Sequence, residues 1–301
     1  MSPLLHGRYN QPLTGALLGF MSMSLFSIQD ALIKNLAEDY SLFQILFIRS
    51  GVIMIPLLCM LWFRYGARAF HTSRKLDHAI RVAFNFSAFM SYYFAISRLE
   101  LGQATAIALS APLFMTALSG PLLGEPADIR RKIILCIGFF GVLLVIQPDT
   151  GQTDWLRTGA ALLGALLFAL LGIQTRKMSA TEPTELMVFF GALTFFCVTA
   201  IIMLFGGWRT PSNEDLALLL GVGVVSLFAQ FLIVHSYQFA AVYVIAPFEY
   251  VTILWALGLG WFFFSEQPTL IMLGGCSIII LCGLAIVHLE HRVAPPGKIA
   301  H

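Results

Sequence analysis

"PLLGEPADIRRK", residues 121–132, ends a long apolar run with a glutamate and a proline, and a basic cluster follows. "WFFFSEQPTL", residues 261–270, ends another apolar run in the same way, with Glu266 two residues before Pro268. Glu266 lies 141 positions after its counterpart, Glu125. The recurrence of one ending at this distance indicates that an ancestral segment was duplicated.

Two further pairs of similar sequences keep the same order and nearly the same spacing. "YYFA" at 92–95 matches "YQFA" at 237–240, and "CIGFFGVLLVI" at 136–146 resembles "LCGLAIVHL" at 281–289. Three matches in one order predict a chain built of two homologous halves. The predicted halves comprise residues 1–150 and residues 151–301.

The composition places these halves in a membrane. Of the 301 residues, 58% are hydrophobic and 11% are charged, whereas a soluble domain carries about 25% charged residues. A helix needs about 20 mainly apolar residues to cross the hydrocarbon core of a bilayer. Such runs predict an all-α polytopic membrane protein with ten transmembrane helices, at 13–34, 42–63, 79–97, 102–122, 131–147, 155–176, 185–206, 215–237, 243–264 and 268–290.

Five spans per half is an odd number, so the second half is predicted to be inverted relative to the first. Lys and Arg favour cytoplasmic loops. With a cytoplasmic N-terminus, the inner segments hold thirteen of these residues, Arg81 among them, and the outer ends hold four. Both termini are therefore predicted to be cytoplasmic. The short loops and the lack of a eukaryotic targeting signal favour a bacterial inner membrane. Inverted repeats underlie alternating access, with the substrate bound near the midplane between the halves.

Four stretches of the chain resemble the drug/metabolite transporter superfamily, EamA type. They are "SLFSIQDALIKNL" at 24–36, "QILFIRSGVIMIPLL" at 44–58, "YYFAISRLELGQATAIALSAPLFMTALSGPLLGEP" at 92–126 and "APFEYVTILWALGLGWFFFSEQP" at 246–268. The resemblance extends over about 13–290 and implies ten helices in two inverted halves around a central cavity. Members of this family move amino acids, nucleotide-like metabolites, vitamins and drugs. The resemblance therefore implies a secondary active transporter of a small organic metabolite, coupled to a proton or a counter-substrate, as a monomer or a homodimer.

Charged residues inside the predicted spans are the first candidates for a functional site, because each costs roughly 2.5–3.5 kcal/mol to bury in a bilayer. Asp30 and Lys34 are one helical turn apart and share a face. They are either a helix-end pair with Lys34 reaching out to the interface, or an outer gate or substrate contact. Arg49 lies roughly 10 Å deep in the second span. Its alternatives are a brace to Asp30 and a direct substrate contact.

A second group of candidates lies in the ninth span, in the sequence "APFEY". Pro247 cannot donate a backbone hydrogen bond, so the helix is predicted to kink there. Glu249 follows two residues later, and Tyr250 follows Glu249. Intramembrane carboxyl groups usually face a cavity. Glu249 is therefore interpreted as a proton or cation site, or alternatively as a hydrogen-bonded carboxyl that packs against another helix.

Uncharged polar residues complete the predicted site. Asn85, Tyr92 and Gln230 lie in the third and eighth spans, where each would serve either an interhelical hydrogen bond or a cavity wall. By residue count, Asn85, Gln230 and Glu249 fall in the inner half of the membrane, whereas Asp30 and Arg49 fall in the outer half. The sequence thus predicts two polar layers, as two gates would require.

Other classes of protein have little support in the sequence. There is no HExxH zinc motif, no GxSxG elbow and no Walker A loop. The sequence therefore predicts no catalytic residues, no metal site and no cofactor. A sustained basic patch with exposed aromatic residues is also missing, so no nucleic-acid partner is expected. An intramembrane enzyme and a non-transporting membrane scaffold remain as alternatives to a transporter.

Overall fold

The computed structural model describes residues 12–66, 72, 74–123, 129–147, 154–179, 182, 184–239 and 245–293. These ranges are almost entirely helical, and no β-strand occurs within them. Their α-helices are α1 (Pro12–Leu36), α2 (Leu42–Tyr65), α3 (Lys75–Ile96), α4 (Leu101–Ala108), α5 (Ala111–Leu123), α6 (Ile129–Ile146), α7 (Trp155–Ser179), α8 (Thr184–Leu204), α9 (Asn213–Phe239), α10 (Val251–Phe264) and α11 (Leu270–Val293).

Two of the spans are broken, and a proline accompanies each break. Helices α4 and α5 form the fourth span and are separated by a turn at Leu109 and Ser110. Pro112 follows that turn, and its ring and missing N–H prevent a regular hydrogen bond to the preceding turn. The described part of the ninth span includes a 3-10 segment, Ala246–Tyr250, which contains Pro247 and runs into α10. The irregular segment at Pro247 was expected from the sequence.

Each of the ten predicted spans corresponds to a helix or a broken helix. Within the described ranges, eight helical segments are long and apolar enough to cross a membrane, counting the fourth and ninth spans as single segments. The fifth span, α6, has a shorter apolar stretch at Lys132–Ile146. The third span, α3, carries charged residues in its first two turns. These helices confirm an all-α, multi-pass membrane protein.

The third span begins earlier than predicted, and this changes the interpretation of Arg81. Helix α3 starts at Lys75 rather than at residue 79. Arg81, which was counted with the inner segments, therefore lies in the second turn of the helix rather than at its start, and it is buried.

Packing between the spans follows a regular pattern. The first span packs on the eighth (α1 on α9), and the sixth packs on the third (α7 on α3). The second span packs on the seventh (α2 on α8), the fourth on the ninth (α4 on α10), and the fifth on the tenth (α6 on α11). If each span is replaced by the span at the corresponding position in the other half, five places later or earlier, the same five pairings result. The packing is therefore symmetric between the two sets of five spans.

Glycines allow the closest of these crossings. A Cβ atom on Gly275 of α11 would lie 2.7 Å from the carbonyl oxygen of Gly141 and 2.9 Å from the backbone nitrogen of Val145, both in α6. Gly283, also in α11, faces Tyr250, and a Cβ there would overlap the tyrosine hydroxyl. Close approach of backbones at small residues is a usual device of helix packing in membranes.

The two ends of the bundle are named here by what they contain. The Glu266 end holds the turns 37–41, 97–100, 205–212 and 265–269, which contact one another through side chains. The terminal end holds the first and last described residues and the segment around Glu182. The hydrophobic core extends from the Glu266 end, where Tyr93, Ile96 and Leu101 are completely buried.

Candidate functional site

A buried chain of polar side chains links four helices near the middle of the bundle. Arg49 Nε, on α2, donates to Ser226 Oγ, on α9, at 2.8 Å. Ser226 Oγ in turn contacts Gln29 Oε1, on α1. Gln29 Nε2 donates to Tyr93 Oη at 2.9 Å and to Asp30 Oδ1 at 3.1 Å. A cation and an anion are thus joined through neutral hydrogen-bonding groups.

Asp30 is held from its other side by α3. Tyr92 Oη donates to Asp30 Oδ2 at 2.8 Å and lies 3.2 Å from Thr105 Oγ1, on α4. The predicted direct brace between Asp30 and Arg49 is not formed, and Gln29 and Ser226 stand between them. Because each carboxylate oxygen of Asp30 accepts a hydrogen bond, Asp30 is a fixed part of the wall between α1 and α3.

A cavity of about 100 Å³ lies beside this network, between α2, α3, α8 and α9. Its polar lining consists of Arg49, Ser50, Arg81, Asn85 and Gln230. Its apolar lining includes Ile53, Phe89, Met187 and Phe195. None of the lining residues is acidic. The two helices that each half contributes make this a shared, central cavity with a positive wall.

The polar groups of the cavity differ in whether the protein satisfies them. Arg81 donates from Nε to Thr175 Oγ1 at 3.0 Å and from Nη1 to the Met187 carbonyl at 2.8 Å. Asn85 and Gln230 form no side-chain hydrogen bond with any described residue. Arg49 is only 6% exposed, yet its two terminal nitrogens also have no hydrogen-bond partner in the described part of the chain.

The guanidinium of Arg49 is nevertheless oriented. Its carbon lies 5.9 Å from the ring centre of Phe89 and 5.7 Å from that of Tyr93. Aromatic ring faces attract such a cation. The hydrogen bond from Arg49 Nε to Ser226 Oγ is a third contact that restrains the guanidinium. These three contacts hold the guanidinium of Arg49 in place, with its two terminal nitrogens facing the cavity.

This arrangement corrects the prediction of two polar layers. Arg49 was placed in the outer layer and Asn85 and Gln230 in the inner layer, but all three line one cavity. Counting residues along a helix does not show in which direction a long side chain extends, and Arg49 extends from α2 into the cavity that Asn85 and Gln230 also line.

Lys34 forms a second charged centre, at the Glu266 end. Its Nζ lies 2.6 Å from Glu266 Oε1 and also donates to the Leu99 carbonyl. Glu266 Oε2 accepts from the backbone nitrogen of Leu101, the first residue of α4, at 2.8 Å. Lys34 is 8% exposed, so the interpretation in which it reaches out to the interface was wrong.

Further polar contacts join the first half to the second at this end. Arg209 Nη1 donates to Asp39 Oδ1 at 2.8 Å, and Gln44 Nε2 donates to the Arg209 carbonyl at 2.7 Å. Tyr40 Oη donates to Asp215 Oδ2 at 2.7 Å. The Glu266 end is therefore closed by a cluster of side-chain contacts.

Glu100 lies beside this closure, at the turn between α3 and α4. Burial, and next the negative charge of Glu266, raise the pKa of the Glu100 carboxyl, while the charge of Lys34 opposes the shift. Three charged side chains thus share one small region. The ionisation of Glu100 is consequently coupled to the pair that closes this end.

The ninth span does not contribute to the cavity. Glu249 has no side-chain hydrogen bond or ion pair with a described residue, and it is absent from the cavity wall. Tyr250 is buried and lies against Gly283. Of the eight predicted site residues, the structure brings together Asp30, Arg49, Asn85, Tyr92 and Gln230, and it places Lys34, Glu249 and Tyr250 elsewhere.

The sequence analysis did not select Gln29, Ser226 or Glu266 as site residues. Gln29 and Ser226 are single polar residues in apolar helices, and no spacing pattern marks them. Glu266 stood in the repeated ending, and its counterpart Glu125 lies outside the described residues. A glutamate that recurs at the end of both halves was a usable signal.

A ten-span helical bundle with buried charges around a shared central cavity defines the chain as a membrane transporter. The chain belongs to the EamA-like transporter family, which it matches over residues 13–147 and again over residues 158–289. This assignment confirms the resemblance to the drug/metabolite transporters.

Individual relatives agree with the family. The chain is 27% identical over 286 residues to the S-adenosylmethionine uptake transporter of Rickettsia prowazekii (strain Madrid E), covering 93% of this chain and 94% of the relative. It is 27% identical over 271 residues to the pseudopaline exporter of Pseudomonas aeruginosa (strain UCBPP-PA14), covering 89% and 94%. A protein of known crystal structure superposes with a TM-score of 0.64 at 15% identity, over 94% of this chain and 99% of the other. That superposition supports the fold.

Proposed function

We propose that this chain is a secondary active transporter that moves a small organic metabolite by alternating access between two inverted halves. The observation that carries the proposal is the central cavity, to which α2 and α3 contribute from the first half and α8 and α9 from the second. The terminal nitrogens of Arg49 and the side-chain amides of Asn85 and Gln230 have no hydrogen-bond partner among the described residues, although Arg49 Nε donates to Ser226. Polar groups that face a cavity without a protein partner are suited to bind a polar solute.

The conformation fits one stage of such a cycle. Sites for drug-sized ligands have volumes of about 300–1,000 Å³, whereas this cavity has about 100 Å³. It is therefore too small for a whole metabolite and has to widen before one binds. The Glu266 end is closed by the Lys34–Glu266 pair and by the contacts of Arg209. We assign a closed outer gate to this end, with Lys34 as a gating residue.

Roles for the remaining site residues follow from their positions. Arg49, Asn85 and Gln230 are proposed to contact the substrate. Asp30 and Tyr92 are proposed to hold the wall that carries Arg49. Glu249 and Tyr250 remain predicted as substrate-binding or gating residues, on the irregular segment after Pro247. A proton or a counter-substrate is the proposed coupling partner.

The setting of the transporter is also a proposal. We place residues 1–150 in the first half and 151–301 in the second, with both termini in the cytoplasm and the Glu266 end outside a bacterial inner membrane. The two relatives named above include an uptake system and an exporter, so either direction is compatible with the family. The chain is proposed to act as a monomer or a homodimer.

An enzyme in the membrane is the alternative of a different class. The described residues include no group of three or more His, Cys, Asp or Glu side chains that could hold a metal ion. The terminal nitrogens of Arg49 and the amides of Asn85 and Gln230, which lack a described partner, lie instead in a cavity between α2, α3, α8 and α9. We therefore propose transport without a chemical reaction.

Reconstitution tests this function directly. Purified protein in liposomes is given a panel of labelled metabolites, including S-adenosylmethionine and amino acids, with and without a pH gradient. We expect uptake of at least one solute to exceed that of protein-free liposomes and to respond to unlabelled solute on the other side. Folded protein that transports none of the panel would contradict the proposal.

A further inference from the structure

We propose that the central cavity binds a carboxylate group of the transported metabolite, and that Arg49 is the residue that binds it. The proposal deepens the transport function proposed above and rests on it. The cavity contains two arginines and two amide side chains, and its lining contains no acidic residue. A positive wall of this kind, with no acidic residue in the lining itself, favours an anionic group.

Arg49 has the geometry for such a contact. The side chain is 94% buried, because only 6% of its surface is exposed. Its Nε is used by Ser226, while both terminal nitrogens remain without a hydrogen bond to a described residue. A guanidinium held in this way offers parallel N–H groups, which match the two oxygens of a carboxylate.

The neighbouring groups favour a carboxylate over a phosphate. Arg81 already donates two hydrogen bonds to the protein, so Arg49 alone has an uncommitted pair of cationic donors. Asn85 and Gln230 add neutral amide donors. The two arginine charges could balance a phosphate dianion, but only Arg49 has both terminal nitrogens without a described partner, and this pair of donors matches the two oxygens of one carboxylate.

The size of the cavity is consistent with a group rather than a whole solute. About 100 Å³ accommodates a carboxylate and its nearest atoms. The rest of the metabolite would enter space that opens when the halves move. Arg49 is therefore the fixed point around which the remaining contacts form.

The test compares ligands that differ only in the carboxylate. Purified protein in detergent is titrated with S-adenosylmethionine and its decarboxylated form, with methionine and 3-(methylthio)propylamine, and with histidine and histamine. AMP and adenosine form a fourth pair, which tests a phosphate. Binding is measured as the shift in the thermal unfolding temperature.

In the wild-type protein we expect at least one carboxylate to bind about tenfold or more tightly than its decarboxylated partner, as loss of a charged hydrogen bond implies. Arg49→Gln should reduce that ratio to about twofold or less, and Arg49→Lys should retain part of it. Arg130→Gln, at an exposed site at the start of α6, is the matched control and should leave the ratio unchanged.

Four outcomes would overturn the proposal: equal binding within every carboxylate pair, no binding by any carboxylate, selectivity that survives in Arg49→Gln, or Arg49-dependent binding of AMP alone. The comparison in the wild-type protein needs no variant, so misfolding of Arg49→Gln would not spoil it. Carboxylate-selective binding without uptake into liposomes would contradict the transport function and leave the site intact. Uptake that does not depend on the carboxylate would contradict the carboxylate site and leave the transport function intact.

Discussion

Lys34 Nζ and Glu266 Oε1 lie 2.6 Å apart and join the first span to the end of the ninth. The same carboxylate accepts a hydrogen bond from the first residue of α4, so one glutamate ties three spans together. Side-chain exposures of 10% and 13% show that this pair is largely removed from water. It is the most buried of the contacts that close the Glu266 end.

Removing one member of this pair should be more damaging than removing both. Lys34→Met or Glu266→Gln leaves an unpaired group, and we expect each to cost about 2–4 kcal/mol, somewhat less than for fully buried pairs. The double variant should lose clearly less unfolding free energy than the sum of the losses in the two single variants. Thermal or denaturant unfolding in detergent measures the coupling. Strictly additive losses would show that the two groups do not interact.

Ser226→Ala should weaken substrate binding while preserving the charge of Arg49. The change removes the acceptor for Arg49 Nε and one link to Gln29, so the guanidinium loses its orientation. We expect KM for uptake to rise roughly tenfold with a smaller change in kcat. Ser277→Ala is the control, because Ser277 is exposed on α11 and bonds only the Leu273 carbonyl among described groups. An unchanged KM in Ser226→Ala would rule out a positioning role.

Two adjacent glycines of α11 provide a matched test of the α6 crossing. Gly275→Ala places a methyl group against the backbone of Gly141 and Val145, whereas Gly274 has no atom within 4 Å of its added Cβ. Gly275→Ala should lower the free energy of unfolding by about 1–3 kcal/mol or more. Gly274→Ala should be close to neutral. Equal stability of the two variants would show that α6 and α11 are not in close contact.

The pH dependence of stability should depend on Glu100. Its raised pKa means that the folded protein binds this proton more tightly than the unfolded chain does. Stability therefore falls as the pH rises from the ordinary carboxyl range through the raised pKa of Glu100. Glu100→Gln cannot ionise, so its unfolding temperature should fall less over this interval than that of the wild type. Glu38→Gln, at an exposed site in the turn 37–41 that follows α1, serves as the control. Parallel pH profiles for wild type and Glu100→Gln would contradict the assignment.

The proposed inverted topology makes a prediction about accessibility. Gln267 lies at the Glu266 end, and Lys132 lies in the first turn of α6 at the terminal end. In a cysteine-free background, Gln267→Cys should react with an impermeant thiol reagent from outside intact cells. Lys132→Cys should react only after the membrane is opened. Reaction of both from one side would refute an odd number of crossings between these positions.

The membrane fold was predictable because it depends on local properties of the sequence. Apolar runs of sufficient length define the spans, and Pro247 marked the irregular segment of the ninth span. The start of α3 was less predictable, because Lys75, Asp77 and Arg81 reduce its apolar signal. Asp77 and Arg81 are accommodated through tertiary partners, whereas Lys75 is exposed. Asp77, for example, accepts from Gln174 Nε2 at 2.9 Å.

The candidate site was only partly predictable. Asp30, Arg49 and Glu249 were identifiable as charges in apolar helices, but their partners were not. The direction in which Arg49 points depends on the rotation of α2 and on Ser226, far away in the chain. Lys34 likewise finds Glu266 only when the first and ninth spans are packed together. Sequence patterns give position along a helix, whereas the site depends on which faces meet.

The crossing of α6 and α11 pairs a helix with its own repeat counterpart. In the proposed inverted arrangement, the axis that exchanges the two halves runs between these two helices, near Gly141 and Gly275. Atoms next to such an axis are displaced least when the two halves exchange their conformations. The contact between the backbones of α6 and α11 would then act as a pivot for the motion. A larger side chain at either glycine would slow the change of conformation during transport, and it would also weaken the packing of the two helices.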